Sequence, residues 1–285
     1  MVDDFETRTD TAATGTLAAI AATAMEQHAT ENFPVALRIL PRTPREKLAR
    51  LYAYARFVDD IGDTAPGDRP ALLDLVERDV RRLPGQATLA PVAALGPDLL
   101  PQQPLLDLIE ANRRDQTVTR YASFDDLLDY CSLSAAPVGR LVLHLAGVHD
   151  EVAGAESDAV CAALQVLEHC QDVAEDARAG RIYLPLDDLT EAGVDQDELI
   201  ADRTSPALAA VVGRQVGRAE ELLHRGRPLL RRLSGWSRVA VTGYVAGGLA
   251  TVRALRRADF DVVPAAVRPG KIATVGQAMR LAVRP

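Results

Sequence analysis

Apolar residues in this chain recur at steps of three and four over long windows, and no stretch alternates apolar and polar residues as a half-buried strand would. That period predicts helices at roughly Ala12 to Ala29, Pro44 to Asp63, Pro70 to Leu83, Pro104 to Val118, Ser157 to Ala179, Pro206 to Leu233 and Val239 to Ala258, with a short one near the end. Asp125 to Ala146 reads as a further helix interrupted near Pro137, whose ring removes a backbone donor. Breaks containing Pro and Gly separate them at Ala65 to Arg69, Leu83 to Pro104 and Gly180 to Asp197. No internal repeat or low-complexity linker intervenes, so the expectation is a single all-α domain over residues 1–285.

Composition narrows what such a bundle can do. A hydrophobic content of 48% over 285 residues supports a sizeable core and excludes disorder. Asp plus Glu is 40 against 32 for Lys plus Arg, a formal charge of -8, and no basic run is long enough to grip a phosphate backbone, which excludes nucleic acid as a partner. Cys131, Cys161 and Cys170 show neither C-x-x-C pairing nor metal-finger spacing, which fits a reducing compartment. The sequence begins MVDDFETRTD, acidic where a secretory signal needs a basic start, and no stretch approaches the ~18 uncharged apolar residues of a membrane span. A cytoplasmic location is expected.

Two acidic segments depart from what helix stability would select. In Tyr52-Ala-Tyr-Ala-Arg56-Phe-Val-Asp59-Asp60-Ile-Gly-Asp63, the residues Tyr52, Arg56, Asp59 and Asp63 share one narrow stripe of a helix. In Gln165-Val-Leu-Glu168-His-Cys-Gln-Asp172-Val-Ala-Glu175-Asp176, so do Gln165, Glu168, Asp172 and Asp176. Like charges at i, i+4 cost a few tenths of a kcal/mol in an isolated helix, and Asp is a poor interior helix residue. A solvated acidic face is the ordinary explanation of such a run. Here, however, the carboxylates sit beside Tyr54, Phe57, Val58, Leu164, Val166 and Leu167 rather than among Lys and Arg, and the pattern occurs twice. Two such stripes facing across a cavity would repel unless cations lay between them. Oxygen-only ligands select hard ions, and Mg²⁺ held by few carboxylates completes its shell with water and substrate phosphates. The expected chemistry is therefore metal-assisted ionisation of a diphosphate ester.

These two motifs, with Gly180-Arg181-Ile-Tyr183-Leu-Pro185 just after the second, resemble the squalene/phytoene synthase family of head-to-head prenyl synthases. The specific resemblance runs from about Thr30 to Pro185, and a looser one continues to Phe260. Glu31-Asn32-Phe33-Pro34, Asp115-Gln116-Thr117-Val118-Thr119-Arg120-Tyr121, and Tyr130-Cys131 followed by Pro137-Val138-Gly139-Arg140 are most similar to the hydroxysqualene-forming branch of bacterial hopanoid biosynthesis. The resemblance implies an isoprenoid-synthase helical fold with a central apolar cavity. It implies two or three Mg²⁺ ions held by Asp59 and Asp63 and by Asp172 and Asp176, with Glu168 as a further candidate ligand. Arg56, Arg140 and Arg181 become candidates to neutralise diphosphate oxygens. Phe33 and Gln165 are candidate substrate contacts, and Tyr52 and Tyr183, with Arg56, candidate catalytic residues. The implied reaction converts presqualene diphosphate and water to hydroxysqualene and diphosphate without NADPH, in keeping with the lack of a strand-embedded G-x-G-x-x-G.

Two positions depart from the family pattern. Glu168 stands where the family usually has Asn, which adds a negative charge to the second motif. Ser132 stands where a tyrosine is common in condensing members, which disfavours a two-step synthase and suits water capture. Lys47, Arg268 and Lys271 are further candidates at the diphosphate end; His169 lies off the carboxylate stripe and reads as a packed or surface residue rather than a ligand. Two rival functions remain open: a synthase condensing two prenyl diphosphates, and a non-catalytic helical assembly protein of the same fold. A greasy substrate also leaves open delivery by transient contact with a membrane or a partner enzyme.

Overall fold

The computed structural model describes residues 15–25, 40–270, 274–278 and 281. Among these the regular elements are helical, and the extended pairing is an isolated parallel bridge between Arg120 and Ile182. The main helices are Arg42–Thr64, Arg69–Val80, Gln102–Arg114, Phe124–Ser134, Ala136–Leu145, Glu151–Gln171, Val173–Arg178, Pro206–Gly226 and Gly235–Arg257. Residues 15–25 and 274–278 are also helical. Among the described residues no helix is long and apolar enough to cross a membrane.

The period placed the long helices well and their interruptions less well. Pro137 does not kink a helix; it is the second residue of Ala136–Leu145, where a missing N–H costs nothing, and the break falls at Ala135. The helix expected from Ser157 starts at Glu151, because the Asp150 carboxylate accepts from the backbone N–H groups of Val152 and Ala153. The region from Pro206 to Leu233 is divided by Pro228, giving the short helix Leu229–Arg232. Within the stretch read as a break before Asp197 lies a short helix, Leu186–Ala192, closed by Gly193 in the left-handed region (φ 68°).

The chain forms two compact units, Met1–Thr117 with His144–Gly147, and Val118–Leu143 with Val148–Pro285. The first buries Tyr54, Phe57, Val58 and Ile61 of Arg42–Thr64 together with Leu72, Leu73 and Val76 of Arg69–Val80 and Leu105, Leu108 and Ile109 of Gln102–Arg114. Each such side chain removed from water stabilises the fold by roughly 1.5–3 kcal/mol. The Tyr54 hydroxyl donates to the Leu105 carbonyl at 2.8 Å, so the buried phenol is satisfied. The second unit is built round Glu151–Gln171, packed mainly on Pro206–Gly226 and also on Gly235–Arg257. Gly226 permits this approach: a Cβ there would lie 2.5 Å from the Glu156 carbonyl oxygen and 2.5 Å from a Val160 methyl. Cys131, Cys161 and Cys170 form no disulfide, and burial pushes each thiol up to about 12, so they act as small packing residues.

Candidate functional site

In the first unit, one face of Arg42–Thr64 is committed to the core, and the positions between turn Tyr52, Arg56, Asp59 and Asp63 elsewhere. Tyr52 and Arg56 are half-buried; Asp59 and Asp63 are exposed. Arg56 Nε lies 2.9 Å from a carboxylate oxygen of Asp60, without the alignment of a hydrogen bond. Asp59 is open to solvent along one side, yet protein crowding its other sides strips enough hydration to push its pKa up to about 6. The Asn112 amide opposes that rise by donating from Nδ2 to Asp59 Oδ1 at 3.0 Å, and the nearby Asp63 charge adds to it. Lys47 is paired with Asp98 at 3.2 Å. Phe33 and Lys271 lie outside the described residues.

In the second unit, Gln165 and Glu168 belong to Glu151–Gln171, while Asp176 belongs to Val173–Arg178. Asp172 joins the two helices at a kink (φ -106°, ψ 19°), so the second stripe is not carried by one continuous helix. Its register survives, because Asp172 N–H donates to the Glu168 carbonyl (3.0 Å) and Asp176 N–H to the Asp172 carbonyl (2.8 Å). The structure thus brings Glu168, Asp172 and Asp176 together. Desolvation raises the pKa of Glu168 and of Asp172; the other carboxylates of the group raise both further, and Arg268 opposes the rise. Asp172 Oδ1 is buried and takes no hydrogen bond. An acceptor left in that state costs roughly 1–3 kcal/mol unless another group reaches it.

Of the two places open to it, packed or surface, His169 takes the buried one, and it is not isolated. Its Nε2 lies 3.2 Å from Gln165 Nε2, its Nδ1 lies 3.6 Å from Asp176 Oδ2, and its ring stacks on Tyr183 with centroids 3.7 Å apart. Tyr183 in turn stacks on Tyr121 (5.6 Å) and tilts against Tyr130 (5.8 Å). Two hydrogen bonds close the turn after Val173–Arg178: Gly180 N–H to the Ala177 carbonyl, and Arg181 N–H to the Asp176 carbonyl. Gly180 has φ 83°, which an L side chain resists. The strand-like segment that follows pairs with the Thr119 to Ala122 segment: Ile182 N–H donates to the Thr119 carbonyl and Leu186 N–H to the Tyr121 carbonyl. Tyr183 and Arg181 are therefore held on a backbone pinned at both ends. Arg140 is engaged elsewhere, its guanidinium donating to both oxygens of Asp158 at 3.0 and 2.6 Å.

Hard, oxygen-only donors that repel one another suit a divalent cation such as Mg²⁺. The fit shows in the orphaned Asp172 oxygen and in the raised carboxylates of both units, which a cation would relieve. Among the described residues no three carboxylate, His or Cys side chains form a ready cage. An ion here would draw on water or ligand oxygens for the rest of its shell. Two partners of the stripes escaped the sequence reading: Asn112, and the contact of His169 with Asp176. For Asn112 a signal existed, since it follows Leu105, Leu108 and Ile109 on the apolar stripe of Gln102–Arg114 and is one of only two asparagines in the chain.

Comparison with known proteins bears on this arrangement. The family model for squalene/phytoene synthase matches residues 27–273. A hydroxysqualene synthase of Rhodopseudomonas palustris is 35% identical over 215 residues, 73% of each chain. A phytoene synthase of Mycobacterium bovis is 30% identical over 246 residues, 82% of this chain and 81% of that one. Among solved structures, squalene synthase HpnC from Alicyclobacillus acidocaldarius superposes with a TM-score of 0.77 at 38% identity, covering 87% of this chain and 98% of the other.

Proposed function

The chain belongs to the squalene/phytoene synthase family, and from that premise we propose that it ionises presqualene diphosphate in a Mg²⁺-dependent step. Water captures the resulting cation, giving hydroxysqualene and diphosphate in hopanoid biosynthesis. The carbon–oxygen bond to diphosphate breaks with its electron pair on the leaving group, water adds to the cation, and one proton is released. No electrons are exchanged with a cofactor, so NADPH has no role in the reaction.

The observation that carries the metal dependence is the crowded set Glu168, Asp172 and Asp176, with Asp172 Oδ1 buried and unsatisfied. Asp59 and Asp63 would hold ions from the first unit, and Asp172 and Asp176 from the second, with Glu168 adding charge. Mg²⁺ bound there supplies the neutralisation that lets diphosphate depart. Arg181, on its pinned turn, and Arg56 would contact diphosphate oxygens; Arg268 offers a further cation beside Glu168 and Asp172. Arg140 would have to exchange Asp158 for the substrate to do the same. Gln165, Tyr52, Phe33 and Tyr183 remain the proposed contacts to the organic part, and the stack of Tyr183 on His169 steadies Asp176.

Ser132 supports the water-capturing branch: its hydroxyl donates to the Asp129 carbonyl of its own helix, so no phenol stands at that position to assist a condensation. The similarity to a phytoene synthase favours a second reading, in which two prenyl diphosphates are condensed to a cyclopropyl diphosphate. Incubation with presqualene diphosphate and Mg²⁺ separates the two. The proposal predicts a C30 alcohol and stoichiometric diphosphate. Diphosphate release without the alcohol rejects it, and consumption of farnesyl or geranylgeranyl diphosphate to a cyclopropyl product supports the second reading.

A further inference from the structure

We propose that Asn112 is the positioning residue of Asp59, and that Gly62 exists to let it take that role; the inference rests on the metal-binding reading of Asp59. Asn112 is buried on Gln102–Arg114 and reaches across to Arg42–Thr64. Its single amide nitrogen serves two acceptors, Asp59 Oδ1 at 3.0 Å and the Leu108 carbonyl at 3.1 Å. Its carbonyl oxygen presses against Gly62, where a Cβ would meet it at 2.1 Å. Reversing the amide would set its carbonyl against a carboxylate and against the Leu108 carbonyl, so only one orientation is compatible with its neighbours.

The surrounding backbone holds this arrangement in place. Gln116 Nε2 donates to the backbone carbonyls of Gly62 and Asn112, each at 2.9 Å, clipping the two helices together at the point of contact. One oxygen of Asp59 is thereby fixed, which sets the rotation of the carboxylate before any ion arrives. A neutral amide is the suitable donor: it orients the ligand without supplying a fixed positive charge that would compete with a cation. Leucine at 112 would match the apolar stripe and the branched shape, but its bulkier methyls could neither donate to Asp59 Oδ1 nor approach it to 3.0 Å, so the apolar stripe alone does not account for asparagine there. Outer partners that orient metal ligands are worth about 10–100-fold in metal affinity.

The test is a titration with Mn²⁺ and inorganic pyrophosphate, followed by electron paramagnetic resonance of free Mn²⁺, on the full chain. Asp59→Asn identifies the class of ions that depends on Asp59. In Asn112→Leu that class is expected to bind about 10–100-fold more weakly, and Gly62→Ala, which displaces the amide, should do the same. The double variant Gly62→Ala/Asn112→Ala removes the two amide atoms nearest the new methyl and leaves the Cβ of residue 112 at 3.1 Å; its thermal midpoint should recover in part relative to Gly62→Ala while its Mn²⁺ affinity does not. It also carries the test should Asn112→Leu fail to fold. Unchanged affinity of that class in Asn112→Leu, or recovery of both properties in the double variant, overturns the assignment. Absence of Mn²⁺ binding by the unaltered chain overturns it together with the metal-binding reading beneath it, which distinguishes the two failures.

Discussion

Asp59 pays for its position: ionised, it sits among groups that strip its hydration, with Asp63 close by. Its folded pKa of about 6 stands above the ordinary 3.8, so the folded chain binds this proton more tightly than the unfolded chain does. Stability from this group therefore falls as pH rises through the interval between those values, and the loss is complete above it. In metal-free protein, Asp59→Asn should have a higher thermal midpoint than the unaltered chain at pH 7.5, with the two converging below about pH 4. Its turnover should fall by orders of magnitude while its circular dichroism stays unchanged. A lowered metal-free midpoint at pH 7.5 would contradict this assignment. Asp172→Asn should show the same loss of turnover with the fold retained, since it too removes charge from a repelling set. At this scale the sequence is legible where spacing along one helix carries the information, as for Asp59 and Asp63. It is silent where the partner comes from another segment: Asn112 lies 53 residues from Asp59, and Arg140 is spent on Asp158.

Among the elements, Leu186–Ala192 is short and has no strong periodic signal, so it depends on its anchor. Asp188 is 2% exposed and accepts from Gln215 (2.7 Å), Arg214 (2.7 Å) and Arg218 on Pro206–Gly226. Arg218 also lies over the Phe124 ring, 4.7 Å from its centroid, which ties in the start of Phe124–Ser134. Burial works to raise the Asp188 pKa, but the hydrogen bonds from Gln215, Arg218 and Arg214 outweigh it and hold the carboxyl below its ordinary value. A depressed folded pKa contributes stability above the ordinary aspartate range, and that stability is lost as pH falls through the folded value. Asp188→Asn is expected to cost about 2–4 kcal/mol at pH 7 in denaturant unfolding, somewhat less than a fully buried pair because both arginines are partly exposed. The gap from the unaltered chain should narrow as the pH drops below about 4; a gap independent of pH would mean that the charge is not what matters. Local capping explains the misplaced breaks. Pro137 marks a helix start as readily as a kink, and the Asp172 kink leaves no trace in the periodicity because the i→i-4 bonds on either side persist.

For the whole molecule, the all-helical class was legible throughout, since apolar recurrence at three and four over 285 residues admits little else. Family membership was legible from two acidic motifs and Arg181-Ile-Tyr183, and the match over residues 27–273 bears it out. The choice of chemistry within the family rests on fewer residues, Ser132 and the segments Glu31 to Pro34, Asp115 to Tyr121 and Tyr130 to Arg140, and relatives on both sides of that choice share about a third of their residues with the chain. Carboxylates expensive to ionise stand in each unit, and the proposed reaction would use them to hold divalent ions that carry a diphosphate. Crystals grown with Mn²⁺ and pyrophosphate, measured at the manganese absorption edge, address this directly. The account predicts anomalous density against the carboxylates of Asp59 and Asp63 and against those of Asp172 and Asp176. Manganese absent from both sets, with those side chains turned to bulk solvent, would contradict it.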